Sequence, residues 1–197
     1  MKSLKKTIVT AGFATLLSSN ALALESLNSD ATVIVNNAFT LAETAEMTFG
    51  SIRATADTTN TATASLTLPA DGSAGAVTAG TPADANIVVI SAGTPASFAV
   101  TNAAPFTTLT LTLPSSAITL ATAGGTAEFT VDTFNAIIRG GQNDGDAYTS
   151  GTPNLRTDAS GAVSFDVGAT LHTDATTPAT DYLDGTYTGS YQVQVDY

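Results

Sequence analysis

Short runs in which apolar and polar side chains alternate recur along this chain, and they constrain its fold more than any other feature. The most regular internal run is "TTLTLTLP" at 107–114, which sets three leucines against threonines. "AEFTVDT" at 127–133 and "AVSFDVGATL" at 162–171 alternate in the same way. Because successive side chains of a strand point to opposite faces, this period predicts strands with one buried face and one wet face.

Turn-forming clusters separate these runs, among them "PADGSAG", "SAGTP", "TAGGT" and "GGQNDGDAYTSGTP". Their glycines, prolines and Asx residues adopt positive φ or preset a turn. One run, "NIVVI" at 86–90, is apolar without interruption, which predicts a strand buried on both faces. About eight to ten short strands, spaced by roughly 8–12 residues, predict an all-β sandwich or barrel.

The N-terminus is typical of a secretory signal peptide. A basic start, "MKSLKK", precedes the apolar run "TIVTAGFATLL" and then "SSNALA". The apolar run falls short of the roughly 20 residues that a membrane-spanning helix needs. We therefore predict a signal peptide over 1–23, cleaved after Ala23, with export by the Sec route and a single domain over 24–197.

Charge and cysteine content exclude several classes of partner. Beyond residue 23 the only cations are Arg53, Arg139 and Arg156, against 17 acidic residues, so the net charge of the exported chain is −14. So few cations cannot neutralise a phosphate backbone or an anionic membrane surface, so we predict no nucleic-acid partner and no membrane insertion. The chain has no cysteine, which excludes disulfides and thiolate metal sites.

Motifs that could carry chemistry are sparse. His172 is the only histidine and no G-x-S-x-G elbow is present, so a surface histidine is favoured over a Ser-His-Asp triad. Asn143, Asp144 and Asp146 surround a glycine and could supply oxygen ligands to calcium, but an acidic surface turn is the favoured interpretation. No Gly-rich phosphate-binding loop is present. We therefore predict no catalytic residue, no cofactor and no enzymatic activity.

The last thirteen residues, "GTYTGSYQVQVDY" at 185–197, alternate more cleanly than any other segment. Two interpretations compete. In the first, this strand is interior to a sandwich, with Tyr191, Val193, Val195 and Tyr197 in the core. In the second, it is one strand of a small outer-membrane barrel, which would need strands of about 9–11 residues and aromatic girdles. Few segments are that long, so the sandwich is favoured.

Four segments in a fixed order carry a resemblance to a known family: "AEMTFGSI" at 45–52, "SFAVTNAAP" at 97–105, "FDVGATL" at 165–171 and 185–197. Over about 31–197 the chain resembles the bacterial family called domain of unknown function 4402, which is similar to the spore-coat U and fimbrial-subunit group. The resemblance implies an immunoglobulin-like, pilin-like Greek-key β-sandwich. It also implies export to the periplasm, cell surface or medium of a Gram-negative-type bacterium. The cysteines common in the spore-coat group are absent here.

The resemblance further implies a structural, fimbria-like role, with like subunits or a periplasmic chaperone as partners through strand addition. The segment "DATVIVNNAFTL" at 30–41 is then either a strand donated to a neighbour or the protein's own first strand. The residues expected to pair or to complete the core are Val33, Val35, Phe39, Leu41, Tyr191, Val193, Val195 and Tyr197. The alternatives, in order, are an adhesin or a carbohydrate- or protein-binding module acting through loops 69–84 and 140–160, the outer-membrane barrel, and a hydrolase.

Overall fold

The structure is a computed structural model that describes residues 30–34, 38–81 and 84–197. The predicted signal peptide at 1–23 lies outside these residues. The chain divides into two units, Met1–Val35 and Asn36–Tyr197. In the first unit, residues 30–34 have no regular secondary structure, and the side chains of Val33 and Ile34 are 84% and 94% exposed.

The second unit is all-β throughout its described residues. Its twelve strands are β1 (Thr40–Ala45), β2 (Ser51–Thr55), β3 (Ser65–Leu68), β4 (Ala76–Thr78), β5 (Asn86–Ser91), β6 (Ala96–Thr101), β7 (Thr108–Thr112), β8 (Ile118–Leu120), β9 (Phe129–Arg139), β10 (Leu155–Arg156), β11 (Val163–His172) and β12 (Gln194–Asp196). In the part of the chain that the structure describes, no helix is long and apolar enough to cross a bilayer.

The long strand β11 organises the largest sheet. β9 pairs antiparallel along one of its edges, with Phe165 opposite Ile138. On the other edge, β6 pairs with its first half and β3 with its second half. β1 extends this sheet beyond β6, β4 extends it beyond β3, and β8 extends it beyond β9. A second sheet has the order β10-β7-β12, and β2 and β5 form a separate two-stranded ribbon.

Two apolar clusters hold the sheets together. The first joins β6, β9 and β11 to Leu109 and Leu111 of β7 and Leu155 of β10, so the three-stranded sheet packs against the large one. The second joins β3, β9 and the end of β11 to Ile87 of β5, so the ribbon covers the remaining part of the large sheet. The alternating residues of β11 contribute to both clusters, because this strand runs from one to the other.

The alternation predicted for β7 is confirmed: Leu109 and Leu111 are buried between more exposed threonines. In β11 it is confirmed from Val163 to Val167, but residues 167–171 are all buried, including Thr170, so the predicted wet face is wrong for that half of the strand.

The prediction that 86–90 is buried on both faces is wrong. Ile87 is 3% exposed, but Val88, Val89 and Ile90 are 46%, 38% and 66% exposed. The β2–β5 ribbon lies over the core with one face only, so its other face meets solvent although its side chains are apolar.

The interior strand predicted over 185–197 is wrong in extent. Regular pairing is limited to β12, which pairs with β7 alone, and Thr188 makes an isolated bridge to Ala121. The alternation is confirmed for Tyr187, Tyr191, Val193 and Val195, which are half-buried, while the even-numbered residues between them are exposed. The prediction that Tyr197 lies in the core is wrong, because this last residue is 41% exposed. The inward side chains therefore seal the core even where the backbone of this C-terminal segment has no strand beside it.

Candidate functional site

The predicted pairing residues fall into two groups. Six of them lie at the end of the first cluster or border it: Phe39, Leu41, Tyr191, Val193 and Val195 pack against it half-buried, and the ring of Tyr197 lies 5.4 Å from that of Phe39. The Tyr197 hydroxyl accepts a hydrogen bond from the backbone N–H of Ala104, at 3.2 Å. Val33 belongs to the exposed residues 30–34, and Val35 lies outside the described residues.

A hollow of about 550 Å³ lies where β1 and β12 approach each other. Leu41 lines it together with Thr110, Thr112 and the residues at 194–197. Its surface is part apolar, from Leu41, Val195 and Tyr197, and part polar, and it is smaller than the cleft described next. β1 and β12 each pair on one side only among the described strands.

A larger cleft, of about 780 Å³, lies over the second cluster, and we call it the cleft. One wall is the segment 46–54, which includes most of β2. The opposite wall is the C-terminal segment at 182–189 together with Tyr191. Ile118 and Leu120 of β8, Phe129 of β9 and Leu171 of β11 line it between the walls, and Phe129 and Leu171 are only 4% and 2% exposed. The cleft therefore has two extended walls over an apolar floor.

The backbone of both walls has hydrogen-bonding capacity to spare. β2 pairs with β5 on one edge, and no described strand pairs with its other edge. The C-terminal wall is held at Thr188, whose N–H and C=O bond to Ala121. At one end the walls are joined, because the N–H of Ala56 donates to Asp181 Oδ1 at 2.7 Å. An unpaired strand edge beside a narrow apolar cleft is a template for an added strand.

Three stacked aromatic rings form the deep side of the cleft. Phe129 stacks on Tyr182 with ring centroids 4.1 Å apart, and Tyr187 meets Phe129 edge-on at 5.0 Å. Both tyrosine hydroxyls are bonded within the chain: that of Tyr182 donates to Glu128 O, and that of Tyr187 donates to Leu183 O. Burial raises the pKa of Tyr182 well above its ordinary value. The hydroxyl of Tyr182 is therefore a neutral structural group.

Tyr191 differs from these residues. Its ring packs 5.4 Å from that of Phe134, and its hydroxyl is buried without a hydrogen-bond partner. Burial, with a smaller contribution from the negative charge of Glu43, raises the pKa of Tyr191 to about 12. The hydroxyl therefore stays protonated at neutral pH and can donate or accept one further hydrogen bond.

The structure does not bring His172 and the candidate calcium ligands together into a catalytic or metal-binding site. His172 lies on β11 with its side chain 30% exposed, and its Nε2 is 3.0 Å from Asp132 Oδ1. In the candidate calcium turn, Asp144 Oδ1 accepts from the N–H of Gly140, and Asn143 Nδ2 donates to Asn154 O. Within the described residues, no group of three or more His, Cys, Asp or Glu side chains could hold a metal ion.

Sequence reasoning missed the residues that build the cleft. Tyr182 lies in "DYLDGT", a stretch with no strand period, so nothing in the sequence marks it as part of a stacked trio. Ile52 lies in the quoted segment "AEMTFGSI". Nothing in that segment indicates that the strand containing Ile52 pairs on one edge only. Only the alternation of 185–197 indicated that the C-terminal segment would form one wall.

Comparisons with known proteins give one family match. The family described as Domain of unknown function (DUF4402) matches residues 39–197, a range that begins just before β1 and includes all twelve strands and both walls of the cleft. Neither a curated protein nor a solved structure matches the chain. The matched range covers most of the sequence, and the chain therefore belongs to the DUF4402 family.

Proposed function

We propose that this protein is a secreted, non-enzymatic structural subunit of the bacterial cell surface that joins like subunits by strand addition. The observation that carries the proposal is the cleft, which places the free edge of β2 opposite the C-terminal segment over an apolar floor. In this proposal the fold is an immunoglobulin-like, pilin-like Greek-key sandwich that lacks one strand. The protein reaches the cell surface through Sec export, and a periplasmic chaperone can fill the cleft before assembly.

The size of the cleft fits one extended strand. The regular strand of the wall is β2 (Ser51–Thr55), because Gly50 before it has a positive φ of 77°; at about 3.3 Å per residue its five residues extend over roughly 16 Å. Backbone hydrogen bonds to β2 would give affinity, and alternate side chains would enter the apolar floor. Full burial of one valine or isoleucine side chain stabilises a complex by about 1.5–3 kcal/mol.

The occupant we propose is the segment 24–37 of a second copy of this chain. Val33 and Ile34 are almost fully exposed and directly precede the globular unit. Phe39 and Leu41 already pack against the chain's own first cluster, so the donated residues must lie upstream of them. The seven residues at 31–37 would extend over roughly 23 Å as a strand, which is long enough to pair along the whole of β2.

The test compares the chain without residues 1–23 with two single variants, Val33→Asp and Thr32→Asp. Both variants add the same charge to the same segment, but only Val33→Asp removes an apolar side chain that would face the floor. Light scattering after gel filtration should show self-association of the parent and of Thr32→Asp. Association of Val33→Asp should be weaker by at least about tenfold, because a carboxylate would have to be buried.

Two results would overturn the proposal. One is a parent protein that remains monomeric over a wide range of concentration. The other is a monomer whose thermal stability falls in Val33→Asp but not in Thr32→Asp, because the segment would then belong to its own fold. Electron microscopy of filaments sheared from cells, with and without the Val33→Asp substitution, applies the same comparison to the assembled state.

A further inference from the structure

Arg53 is an arginine without a partner on one wall of the cleft. Beyond residue 23 the chain has three arginines against 17 acidic residues. Arg139 forms an ion pair with Asp166, and Arg156 Nε donates to the carbonyl oxygen of Phe106. The exposed side chain of Arg53 makes no ion pair and no hydrogen bond with any residue that the structure describes. An unpaired guanidinium in so acidic a chain is available to a carboxylate from outside it.

Arg53 lies on β2 and faces away from the apolar floor. Its neighbours Ile52 and Ala54 pack against the second cluster, and side chains alternate along a strand, so Arg53 is on the outer face of the wall. Among the described residues that line the cleft it is the only cation, and the carboxylates of Glu46 and Asp184 line the same cleft. An acidic side chain of a docked strand would therefore find an opposite charge at one point of the wall only.

The segment proposed as the occupant has an acidic side chain on the corresponding face. When Val33 faces the floor, alternation turns the even-numbered residues outward, and Asp30 is one of them. Asp30 is exposed and forms no ion pair with any residue in the described part of the chain. A strand donated by a second copy would therefore bring a carboxylate to the face on which Arg53 lies.

The direction of the docked strand follows from the joined end of the cleft. The walls meet just beyond β2, where the N–H of Ala56 donates to Asp181. The globular unit of the donating copy follows the segment in sequence, so it has to lie at the other end of the cleft. The donated strand then runs from the joined end towards Ser51, which is antiparallel to β2.

The register brings Asp30 within reach of Arg53. Val33 is best buried beside Ile52, the largest side chain that β2 packs against the second cluster. In the antiparallel direction Asp30 then lies beside Thr55, two residues and roughly 7 Å along the strand from Arg53. Diagonal neighbours of this kind are within reach of a long side chain. In the parallel direction Asp30 would lie about 13 Å from Arg53, too far for an ion pair.

We propose that Arg53 is the specificity contact of the cleft: it forms an ion pair with Asp30 of the incoming strand and thereby selects the antiparallel direction and the register. This inference rests on the proposed function and names a pair of residues that joins two copies of the chain. Each copy carries one member of the pair in its cleft and the other on its strand, so the contact repeats from subunit to subunit. Without Arg53, the carboxylate of Asp181 at the joined end would repel that of the strand.

The test measures self-association of the chain without residues 1–23, carrying either Arg53→Glu or Asp30→Arg, by light scattering after gel filtration. Each substitution places like charges side by side where two copies meet, so association should weaken roughly 3- to 10-fold relative to the parent. An equimolar mixture of the two variants should associate like the parent, because each cleft then meets a strand of opposite charge. The same recovery is expected in one chain that carries both substitutions.

Arg156→Glu is the matched control. Arg156 is also exposed, and its substitution changes the net charge as Arg53→Glu does, but it lies on β10 and does not line the cleft. This variant should associate like the parent. Asp30→Arg makes the chain less negative, so weaker association of that variant cannot come from overall self-repulsion. Far-UV circular dichroism checks that each variant is folded.

The outcomes separate the two proposals. A parent that stays monomeric overturns both. Association that is weakened by Val33→Asp but not by Arg53→Glu or Asp30→Arg overturns the role of Arg53 and leaves the proposed function standing. A loss in Arg156→Glu as large as that in Arg53→Glu also overturns this role, because the effect would then be one of net charge. A mixture that associates no better than either variant alone overturns it too, because complementary charges would then not restore the contact.

Discussion

Gly161, in the turn before β11, has a φ of 77° and no room for a side chain. A Cβ built at this position would lie 1.9 Å from the carbonyl oxygen of Ala103. The backbone is held there by hydrogen bonds from Ala103 N–H to Gly161 O and from Gly161 N–H to Asp158 O. Two separate costs therefore oppose any substitution: the positive φ and the close approach of another backbone segment.

A comparison with Gly124 separates these costs. Gly124 also has a φ of 77°, but nothing lies within 4 Å of a Cβ built on it. Gly124→Ala should therefore lower the free energy of unfolding by about 1 kcal/mol, the cost of the backbone conformation alone. Gly161→Ala should lower it by at least about 2 kcal/mol more, because the chain must move away from Ala103. Urea unfolding followed by circular dichroism measures both, and equal losses would contradict the assigned contact.

Several buried polar side chains hold loops in place through hydrogen bonds to the loop backbone. Thr157 and Thr173 are fully buried, and each hydroxyl bonds to backbone groups of a distant loop. Asp57, 1% exposed, accepts hydrogen bonds from the backbone N–H groups of Thr59, Asn60 and Ala62. These contacts replace the hydrogen bonds to water that the groups lose on burial, so the loops can pack on the core without helices.

Among the strands, β11 makes the most connections: its residues belong to both apolar clusters, and it pairs with β3, β6 and β9. Phe165 lies at its centre, opposite Phe98 of β6, with ring centroids 5.3 Å apart and planes nearly parallel at 17°. The side chain of Phe165 is fully buried. Few other positions combine a large side chain with contacts to so many strands.

Phe165→Ala should lower the free energy of unfolding by about 3–5 kcal/mol, because it leaves a cavity between two sheets. The control is Ile90→Ala on β5, where the side chain is 66% exposed and the change should be within about 0.5 kcal/mol. Chemical unfolding of both variants tests the difference. A small loss in Phe165→Ala would mean that the sheets repack easily and that β11 is not the organising strand.

At the scale of the whole molecule, acidic residues dominate: the chain beyond residue 23 carries a net charge of −14. Folding lowers the pKa of several of its carboxyl groups. Desolvation of Asp174 opposes its ionisation, but hydrogen bonds from Thr176 and Glu128 outweigh this effect and lower its pKa below 3.8. Desolvation also opposes the ionisation of Asp57, but hydrogen bonds from Asn60, Thr59 and Ala62 outweigh it and lower the pKa. The pKa of Asp158 is lowered mainly by hydrogen bonds from the Ala162 N–H and from Ser160.

A carboxylate whose pKa is lower in the folded state stabilises that state above its unfolded pKa, and this contribution is lost as pH falls through the folded pKa. We therefore expect the free energy of unfolding to fall as the pH is lowered from 5 to 2, roughly the window in which such groups become protonated. Asp174→Asn should destabilise the protein at pH 7 and less so at pH 3, because protonation of the parent carboxyl group at acid pH reduces the difference between the two proteins. The exposed Asp84 provides the control Asp84→Asn, whose effect should stay near zero at both pH values.

Urea midpoints of the three proteins across this pH range are the measurement. Equal destabilisation by Asp174→Asn at pH 7 and pH 3 would contradict this prediction, because the effect would then not depend on the charge of Asp174.

Much of the secondary structure could be predicted from the sequence alone, because alternation is a local property. The inward positions of β7 and β11 follow from period two, and so do the half-buried residues of 185–197. Composition alone excluded disulfides, because the chain has no cysteine. The segments quoted from 45 to 197 also indicated the DUF4402 family, which the match over 39–197 confirms.

The tertiary structure alone decided which strand edges remain free and where the cleft lies. Pairing joins residues far apart in sequence, such as Leu66 with Leu171, and no local pattern specifies which partners meet. A continuous apolar run such as 86–90 looks the same whether one face or both are covered, so its exposed valines could not be foreseen. The missing partner of the Tyr191 hydroxyl is likewise a property of the packed chain, because a hydrogen bond is absent only once every neighbour is in place.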